Sequence, residues 1–379
     1  MLSLTALPNL RSQLKAAFVG RDNEIDGILT AVIARTHVLL LGPPGTAKSL
    51  LTTVFCNALS GEYFEMLLAK QSTPDELFGS IDIEALDKGQ GVKRDTRGMM
   101  PEADVAFLDE IFKANSAILN SLLTLLNERK FKNYGGATQQ VPLQICVGAS
   151  NEYPEDASLE ALYDRFQLRF WTEYVPTRSM AMQLLDCPDP ADVVTAKLTM
   201  TDIATMQAVC KTVDVPQHVK EQLLDIREQM ARKHGIVVSD RRLRQSLRLI
   251  QARAMLNGRA IAESKDLLVL CDSLWHRHDQ RPAVFSSVME VAAPTLQKAM
   301  KNADSAREAY DSIDRKDRDS MQKAQNVIIG ELRNIEAWMA LEPNDADLEA
   351  VYRDVQSLNA DLGRTYGKYK SEVDKRRSA

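Results

Sequence analysis

The chain has 379 residues, 45% of them hydrophobic and 26% charged, with a formal net charge of −5. Its length allows two or three domains, and its acidic balance argues against a protein that coats nucleic acid through general charge. Cys56, Cys146, Cys187, Cys210 and Cys271 lie far apart with no C-x-x-C pair, which argues against a disulfide framework or zinc site and makes a reducing cytoplasm the expected compartment.

The first residues show no basic segment leading into a long apolar run, and no stretch approaches the roughly 18 apolar residues that span a bilayer. Leu4, Leu7, Leu10, Leu14 and Phe18 are spaced for a short helix. After Val19-Gly20-Arg21, the positions Ile25, Ile28, Leu29, Val32 and Ile33 predict a second, amphipathic helix. Val38 to Leu41 reads as a buried strand that stops at Gly42, Pro43, Pro44 and Gly45. Thr46, Ala47, Lys48, Ser49 and Leu50 then lead into a helical pattern. Strand, glycine-bearing loop and helix form the context of a phosphate-binding loop. Glycine lets backbone N–H groups converge on phosphate oxygens, and the helix opens with unpaired N–H groups at its positive end. Lys48 is suited to reach the β- and γ-phosphates, and the Ser49 hydroxyl to bind Mg2+. Ala47 stands where the G-x-x-x-x-G-K-[ST] pattern has its second glycine. A Gly-Pro turn beside an incidental lysine is the blander account of the same residues.

Tyr63 to Leu67 predicts a short strand, and Thr73-Pro74-Asp75-Glu76 the start of a helix. Gly79, Gly89, Gly91 and Gly98 predict an irregular insertion or hairpin over residues 80 to 100. Val105 to Leu108 is an apolar strand ending in Asp109 and Glu110. Asp109 is suited to hold Mg2+ through water, and Glu110 to polarise the water that attacks the γ-phosphate. A strand ending in solvated acids is the ordinary alternative, weakened by the phosphate loop upstream. Ala114 to Arg129 predicts a long helix, and Asn133-Tyr134-Gly135-Gly136 the turn of a hairpin. Leu143 to Val147 predicts a strand that delivers Asn151, a candidate hydrogen-bond partner for the attacking water or the γ-phosphate. Leu159 to Arg165 reads as a short helix and Leu168 to Trp171 as a strand, so the block closing at Pro176 predicts a parallel α/β sheet.

From residue 177 to 282 the pattern turns helical, with segments near 178–186, 200–211 and 216–234, one capped by Ser239, and a last one over Ala262 to Leu274. Arg241, Arg242, Arg244, Arg248 and Arg253 make the Ser239-capped helix basic, as a nucleic-acid face or a solvated one. His276 and His278 lack Cys or carboxylate companions and give a weak metal signal. Residues 283 to 379 carry two apolar stripes, Met321 to Met339 and Leu348 to Val373, joined at Glu342-Pro343-Asn344. They predict an antiparallel helical hairpin, with a third helix near 295–313. Three parts are therefore expected: 1–176, 177–282 and 283–379.

Gly42 to Ser49, Phe107-Leu108-Asp109-Glu110, Ala149-Ser150-Asn151-Glu152 and Asp164-Arg165-Phe166 follow one another in the order found in AAA+ ATPases. Within that group they resemble the MoxR family, in which alanine also stands at the position of Ala47. Thr73 to Gly79, Leu126-Asn127-Glu128-Arg129 and Leu159 to Arg165 are most similar to the RavA-type subfamily. The resemblance spans about residues 15 to 280. It implies a P-loop α/β core with a parallel five-stranded sheet, followed by an all-helical lid. It further implies a Mg2+-dependent ATPase that binds ATP and ADP through residues 42 to 50 and forms a homo-oligomeric, hexameric ring. Chaperone-like action on a protein partner, one with a von Willebrand A-type domain, is also implied. By the same resemblance Asn151 is the first sensor, and Arg165 is the arginine finger that reaches a neighbouring subunit's ATP. Arg241 is the second sensor acting in cis, with Arg242 as its fallback. Val19 and Gly20 line the adenine site, while the 80–100 insertion and the 131–141 hairpin face the pore or face of the ring. A nucleic-acid motor and a nucleotide-gated scaffold with little turnover are the alternatives. Net acidity opposes the first; the complete set of Lys48, Asp109, Glu110 and Arg165 opposes the second.

Overall fold

A computed structural model describes residues 6–89, 91–133, 138–154, 157–314, 317–343 and 345–378. The chain divides into two compact units, Met1–Val284 and Phe285–Ala379. In chain order the strands are β1 (His37–Leu41), β2 (Leu59–Ser60), β3 (Tyr63–Leu67), β4 (Val105–Asp109), β5 (Lys130–Lys132), β6 (Thr138–Gln140), β7 (Ile145–Ser150), β8 (Phe166–Trp171) and β9 (Leu198–Thr199). β3, β4, β7, β1 and β8 lie side by side in that order, all parallel, giving the expected five-stranded core. β1 is buried at every position, as a Val/Leu run must be when helices cover both faces of a sheet. β2 pairs with β9, and β5 with β6 as the arms of the expected hairpin; its turn, residues 134–137, lies outside the described residues.

The helices before the lid region are α1 (Ala6–Ala17), α2 (Asp22–Ala34), α3 (Lys48–Asn57), α4 (Pro74–Phe78), α5 (Ile83–Asp87), α6 (Ser116–Glu128) and α7 (Ala157–Tyr163). Asn115 caps α6, its side chain accepting from the N–H groups of Ala117 and Ile118. Thr73 makes no such bond to α4. The 80–100 insertion closes through an antiparallel bridge between Ile81 and Arg94, with α5 between them. The helical block holds α8 (Arg178–Leu185), α9 (Pro190–Val193), α10 (Met200–Cys210), α11 (Gln217–His234) and α12 (Asp240–Leu256). Ser239 caps α12 by accepting from Arg242 N–H.

Two expectations change. α2 is not one-sided: every residue from Glu24 to Ala34 is buried, because α2 packs on the sheet with one face and on α1, α10 and α12 with the others. The segment expected as a helix over 262–274 is a 3-10 helix, Ser264–Asp272. Its first turn is pinned where the Asp266 carboxylate accepts from Glu263 N–H and from Arg259.

α13 (Arg281–Ala292) contains the division between the units. In the second unit α14 (Pro294–Asp311), α15 (Arg318–Leu341) and α16 (Ala346–Ser378) pack against one another. Met321, Ala324, Ile328, Leu332 and Ile335 of α15 and Leu348, Val355 and Leu362 of α16 are buried, so both apolar stripes form this unit's core. Asn344 of the linking turn and the side chains of Tyr369 and Val373 lie outside the described residues. Among the described residues no helix is long and apolar enough to cross a membrane.

Candidate functional site

The carboxyl ends of the parallel strands gather most of the predicted residues, as is usual in open α/β sheets. Gly42 follows β1, Asp109 closes β4, Asn151 follows β7 and Thr172 follows β8. Gly42, Gly45 and Ala47 all have positive φ, at 139°, 78° and 64°. A Cβ on Gly42 would lie 2.1 Å from the Thr172 carbonyl oxygen, so nothing larger fits. Ala47 takes the left-handed turn that glycine would take there, at a cost of roughly 1 kcal/mol. The loop is held from behind. Buried Thr46 donates to Pro43 O (3.0 Å) and lies 3.0 Å from Thr172 Oγ1, while the Tyr174 hydroxyl donates to Pro44 O (3.0 Å). Arg21, 9% exposed, donates from Nε to Thr46 O at 3.1 Å. Arg21, Thr172 and Tyr174 are supports that the sequence does not announce. The sole signal is that Arg21 adjoins Val19-Gly20.

Lys48 opens α3 with its side chain turned onto the loop. Its Nζ donates to Gly42 O (2.8 Å), Pro43 O (2.8 Å) and Asn151 Oδ1 (3.0 Å). Burial lowers its pKa from the ordinary value, opposed by the charges of Asp109 and Glu110. Asn151 also donates from Nδ2 to Glu110 Oε1 (2.8 Å), so one amide links the lysine to the second carboxylate. Glu110 has φ 51°, and its Oε2 is buried without a hydrogen-bond partner among the described residues, 3.4 Å from Lys113 Nζ. The Ser49 hydroxyl donates to Asp109 Oδ2 at 3.0 Å. Hydroxyl and carboxylate in contact form a hard, oxygen-only pair, which fits a Mg2+ that keeps several waters and phosphate oxygens.

Beside the loop opens a cleft of about 370 Å³, lined by Phe18, Val19, Gly45, Thr46, Ala47, Leu50, Tyr174, Leu184 and Pro188. Gly20 lines an adjoining recess of about 510 Å³ that shares Val19 and Pro188 with it. An apolar cleft next to a glycine-bearing loop that opens a helix suits a purine base next to its phosphates.

Arg165 and Arg241 are elsewhere. Arg165 directly precedes Phe166, the first residue of β8, which is in register with His37 at the start of β1. It is therefore set off from the loop beyond Leu41 by roughly 13–17 Å of strand, at about 3.3 Å per residue. Arg241 donates to Asn127 Oδ1 (2.9 Å) and lies 3.7 Å from Asp164 Oδ2. Arg242 is 2% exposed and bonds Asp164, the Phe166 and Gln167 carbonyls and Gln167 Oε1. Arg241, expected to address its own chain's nucleotide, thus lies beside Asp164 at the end of the sheet away from Lys48. The start of α12 reaches the amino end of β8 through Arg242, so Arg241 and its fallback Arg242 group with Arg165, away from Lys48.

A family model described as the MoxR domain in the MoxR-vWA-beta-propeller ternary systems matches residues 5–208, and an AAA lid domain model matches residues 218–288. The chain belongs to the MoxR family of AAA+ ATPases. An uncharacterized protein of Methanocaldococcus jannaschii is 35% identical over 298 residues, covering 79% of this chain and 77% of its own. The chaperone MoxR1 of Mycobacterium tuberculosis is 27% identical over 167 residues, 43% of each chain. A solved structure of a putative ATPase from Cytophaga hutchinsonii matches with a TM-score of 0.61 at 17% identity, covering 76% of this chain and 94% of that one. At that identity the likeness is one of fold. In this MoxR chain Gly42 to Leu50, Asp109, Glu110 and Asn151 share one end of the sheet, and Arg165 and Arg241 the other. The His278 ring lies 4.4 Å from the Trp171 ring, and no metal-type cluster occurs among the described residues.

Proposed function

We propose that this MoxR-family chain hydrolyses ATP with Mg2+ in a homo-oligomeric ring, a hexamer, in which each nucleotide is held by one subunit and completed by the next. The observation that carries this is the separation of Arg165 from Lys48 by a full strand length. An arginine finger so placed serves a neighbour's phosphate, and such a finger is worth roughly 10³–10⁵ in rate. Arg241 acts beside it on the same neighbour.

The base occupies the cleft lined by Phe18, Val19 and Leu50, and the triphosphate takes the N–H groups of residues 42 to 50. Lys48 exchanges the carbonyls of Gly42 and Pro43 for phosphate oxygens. Ser49 and Asp109 would hold Mg2+, which when bound neutralises charge on the β- and γ-phosphates. Once Lys48 has turned to phosphate, Asn151 is free to orient the attacking water, and Glu110 accepts the proton that water loses. The new bond forms from water oxygen to the γ-phosphorus as the β–γ bridge breaks, and Arg165 of the adjacent copy stabilises the charge. Loss of the γ-phosphate releases that contact, and the subunits reorient.

The turnover drives chaperone-like remodelling of a protein partner with a von Willebrand A-type domain, a reading supported by the family description and the MoxR1 relative. Thr73 to Gly79 and Leu159 to Arg165 support a RavA-type affiliation, and the division into 1–176, 177–282 and 283–379 belongs to the same proposal. Five free thiols, three of them buried, support a reducing cytoplasm. The test is Glu110→Gln. It is expected to retain ATP, to keep the ring assembled and to abolish hydrolysis, so that a pull-down in ATP captures the partner. Retained hydrolysis would refute the assignment of Glu110.

A further inference from the structure

At the amino end of β8 four guanidinium groups surround one carboxylate. Asp164 Oδ1 accepts from Arg242 Nη2 at 2.8 Å and lies 3.9 Å from Arg169 Nη2. Asp164 Oδ2 lies 3.7 Å from Arg241 Nη1 and 3.8 Å from Arg165 Nη1. The two oxygens therefore face two different pairs. The inner pair is buried, with side-chain exposures of 0% for Arg169 and 3% for Arg242, against 19% for Arg165 and 43% for Arg241 in the outer pair.

The inner pair has several further partners, although Arg169 Nη2 is buried without a hydrogen-bond partner among the described residues. Arg242 also bonds Gln167 Oε1 and two backbone carbonyls. Arg169 donates to the carbonyls of Phe166 and Trp275, and its guanidinium sits 4.1 Å above the Tyr163 ring. The outer pair has fewer partners, with Arg241 donating to Asn127 Oδ1 at 2.9 Å. Arg165 Nε is buried without a hydrogen-bond partner among the described residues, and neither outer guanidinium comes within hydrogen-bond distance of Asp164. One negative charge among four positive ones leaves the group strongly cationic. Burial, Arg169 and Arg242 push the neighbouring His276 down to about 4, so it stays neutral beside them.

We propose that Asp164 is a positioning residue for the reaction in trans. It keeps Arg165 and Arg241 side by side, partly unsatisfied and aimed outward at a polyphosphate on the neighbouring copy, and it fastens that pair to the start of α12 through Arg242. This rests on the trans-acting reading of Arg165 given above. Without the carboxylate the outer cations repel each other, and α12 loses its charged tie to the finger. The polyphosphate supplies the anion the outer pair lacks, while Oδ1 keeps Arg242 in place as the outer pair leaves Oδ2.

Steady-state ATP hydrolysis by Asp164→Asn tests this. The expected result is a kcat about 10- to 100-fold lower with KM changed by less than about threefold, because Lys48 and Ser49 lie at the far end of the sheet. Asp164→Glu, which restores the charge, is expected to recover much of the loss. Lys48→Ala subunits have no working phosphate loop but keep their arginines. Mixing them with Asp164→Asn subunits is expected to raise turnover per Asp164→Asn subunit severalfold, which a general folding defect would not allow. If Asp164→Asn does not fold, Asp164→Asn/Arg169→Met removes a buried cation with the carboxylate and carries the same expectations. Wild-type kcat, a loss confined to KM, or no recovery on mixing would overturn the role of Asp164. An Arg165→Ala plus Lys48→Ala mixture is the control. If that mixture also fails to recover, the trans reading itself is at fault; if it recovers while the Asp164→Asn mixture does not, only Asp164's role falls.

Discussion

Ala47 carries the phosphate loop through a left-handed turn at φ 64° and ψ 20°. The sequence shows that a glycine is replaced there, and the structure shows that the turn is kept and the strain accepted. Ala47→Gly is expected to relieve the turn, less the extra entropy of a glycine in the unfolded chain, for a net gain of about 0.5 kcal/mol. A differential melt should find a Tm higher by about 1–2 °C with ATP affinity retained. Asp272 is a residue of another kind. Its side chain accepts from Asn23 Nδ2 (2.9 Å), and burial raises its pKa from 3.8 to about 6 against the opposing effects of Asn23 and Arg281. The folded chain thus holds this proton more tightly than the unfolded one. Its stabilising contribution is complete below pH 3.8 and disappears as pH rises through about 6. Asp272→Asn removes the ionisation. Melts from pH 4 to pH 7 should show the variant gaining on the wild type as pH rises, by ~1–3 kcal/mol in all; a constant offset would contradict it.

At the scale of elements, α2 is the helix whose character sequence periodicity misjudged. Ile25, Ile28, Leu29, Val32 and Ile33 give one apolar stripe, but the remaining face carries Glu24, Asp26 and Thr30, which read as solvent-facing and are buried. Asp26 is tolerated inside because cations from two other helices reach it. Arg11 of α1 binds both oxygens at 2.6 and 2.7 Å, Lys15 of α1 lies at 3.0 Å and Arg253 of α12 at 3.3 Å. Burial alone would raise its pKa, yet Arg11, Arg253 and Lys15 more than offset this and hold it below the ordinary value. Asp26→Ala is expected to cost about 3–5 kcal/mol, because three cations lose a shared buried anion. Denaturant melts of the variant beside Arg253→Met, which leaves Arg11 and Lys15 in place and should cost less, would check the assignment. The strands were far more legible. An apolar run that ends in Gly, Asp-Glu or Asn can hardly be placed other than in a buried parallel sheet with its polar residues at one edge.

On the scale of the whole molecule, the proposed division of the site between copies would make activity depend on assembly. Turnover per subunit is expected to fall on dilution through the dissociation range of the ring, while Arg165→Ala should lower kcat by roughly 10³-fold at any concentration and leave nucleotide affinity near wild type. Activity that is constant on dilution to a monomer, measured beside sedimentation or light scattering, would contradict the divided site.

The sequence by itself determined the phosphate loop, the Asp109-Glu110 pair, Asn151 and the strand–helix alternation that carries them. Each of these is local: a glycine-bearing turn, an apolar run and the polar residue that ends it are contiguous in the chain. Tertiary structure alone decided which arginine keeps company with which. Arg165 and Arg241 are far apart in sequence and meet around Asp164, because the start of α12 lies against the start of β8. Periodicity places a side chain on a face of its own helix, but which strand end that face meets depends on how the helical block packs. For the same reason Arg21, Thr172 and Tyr174, which brace the loop from other elements, leave no mark in the sequence around it.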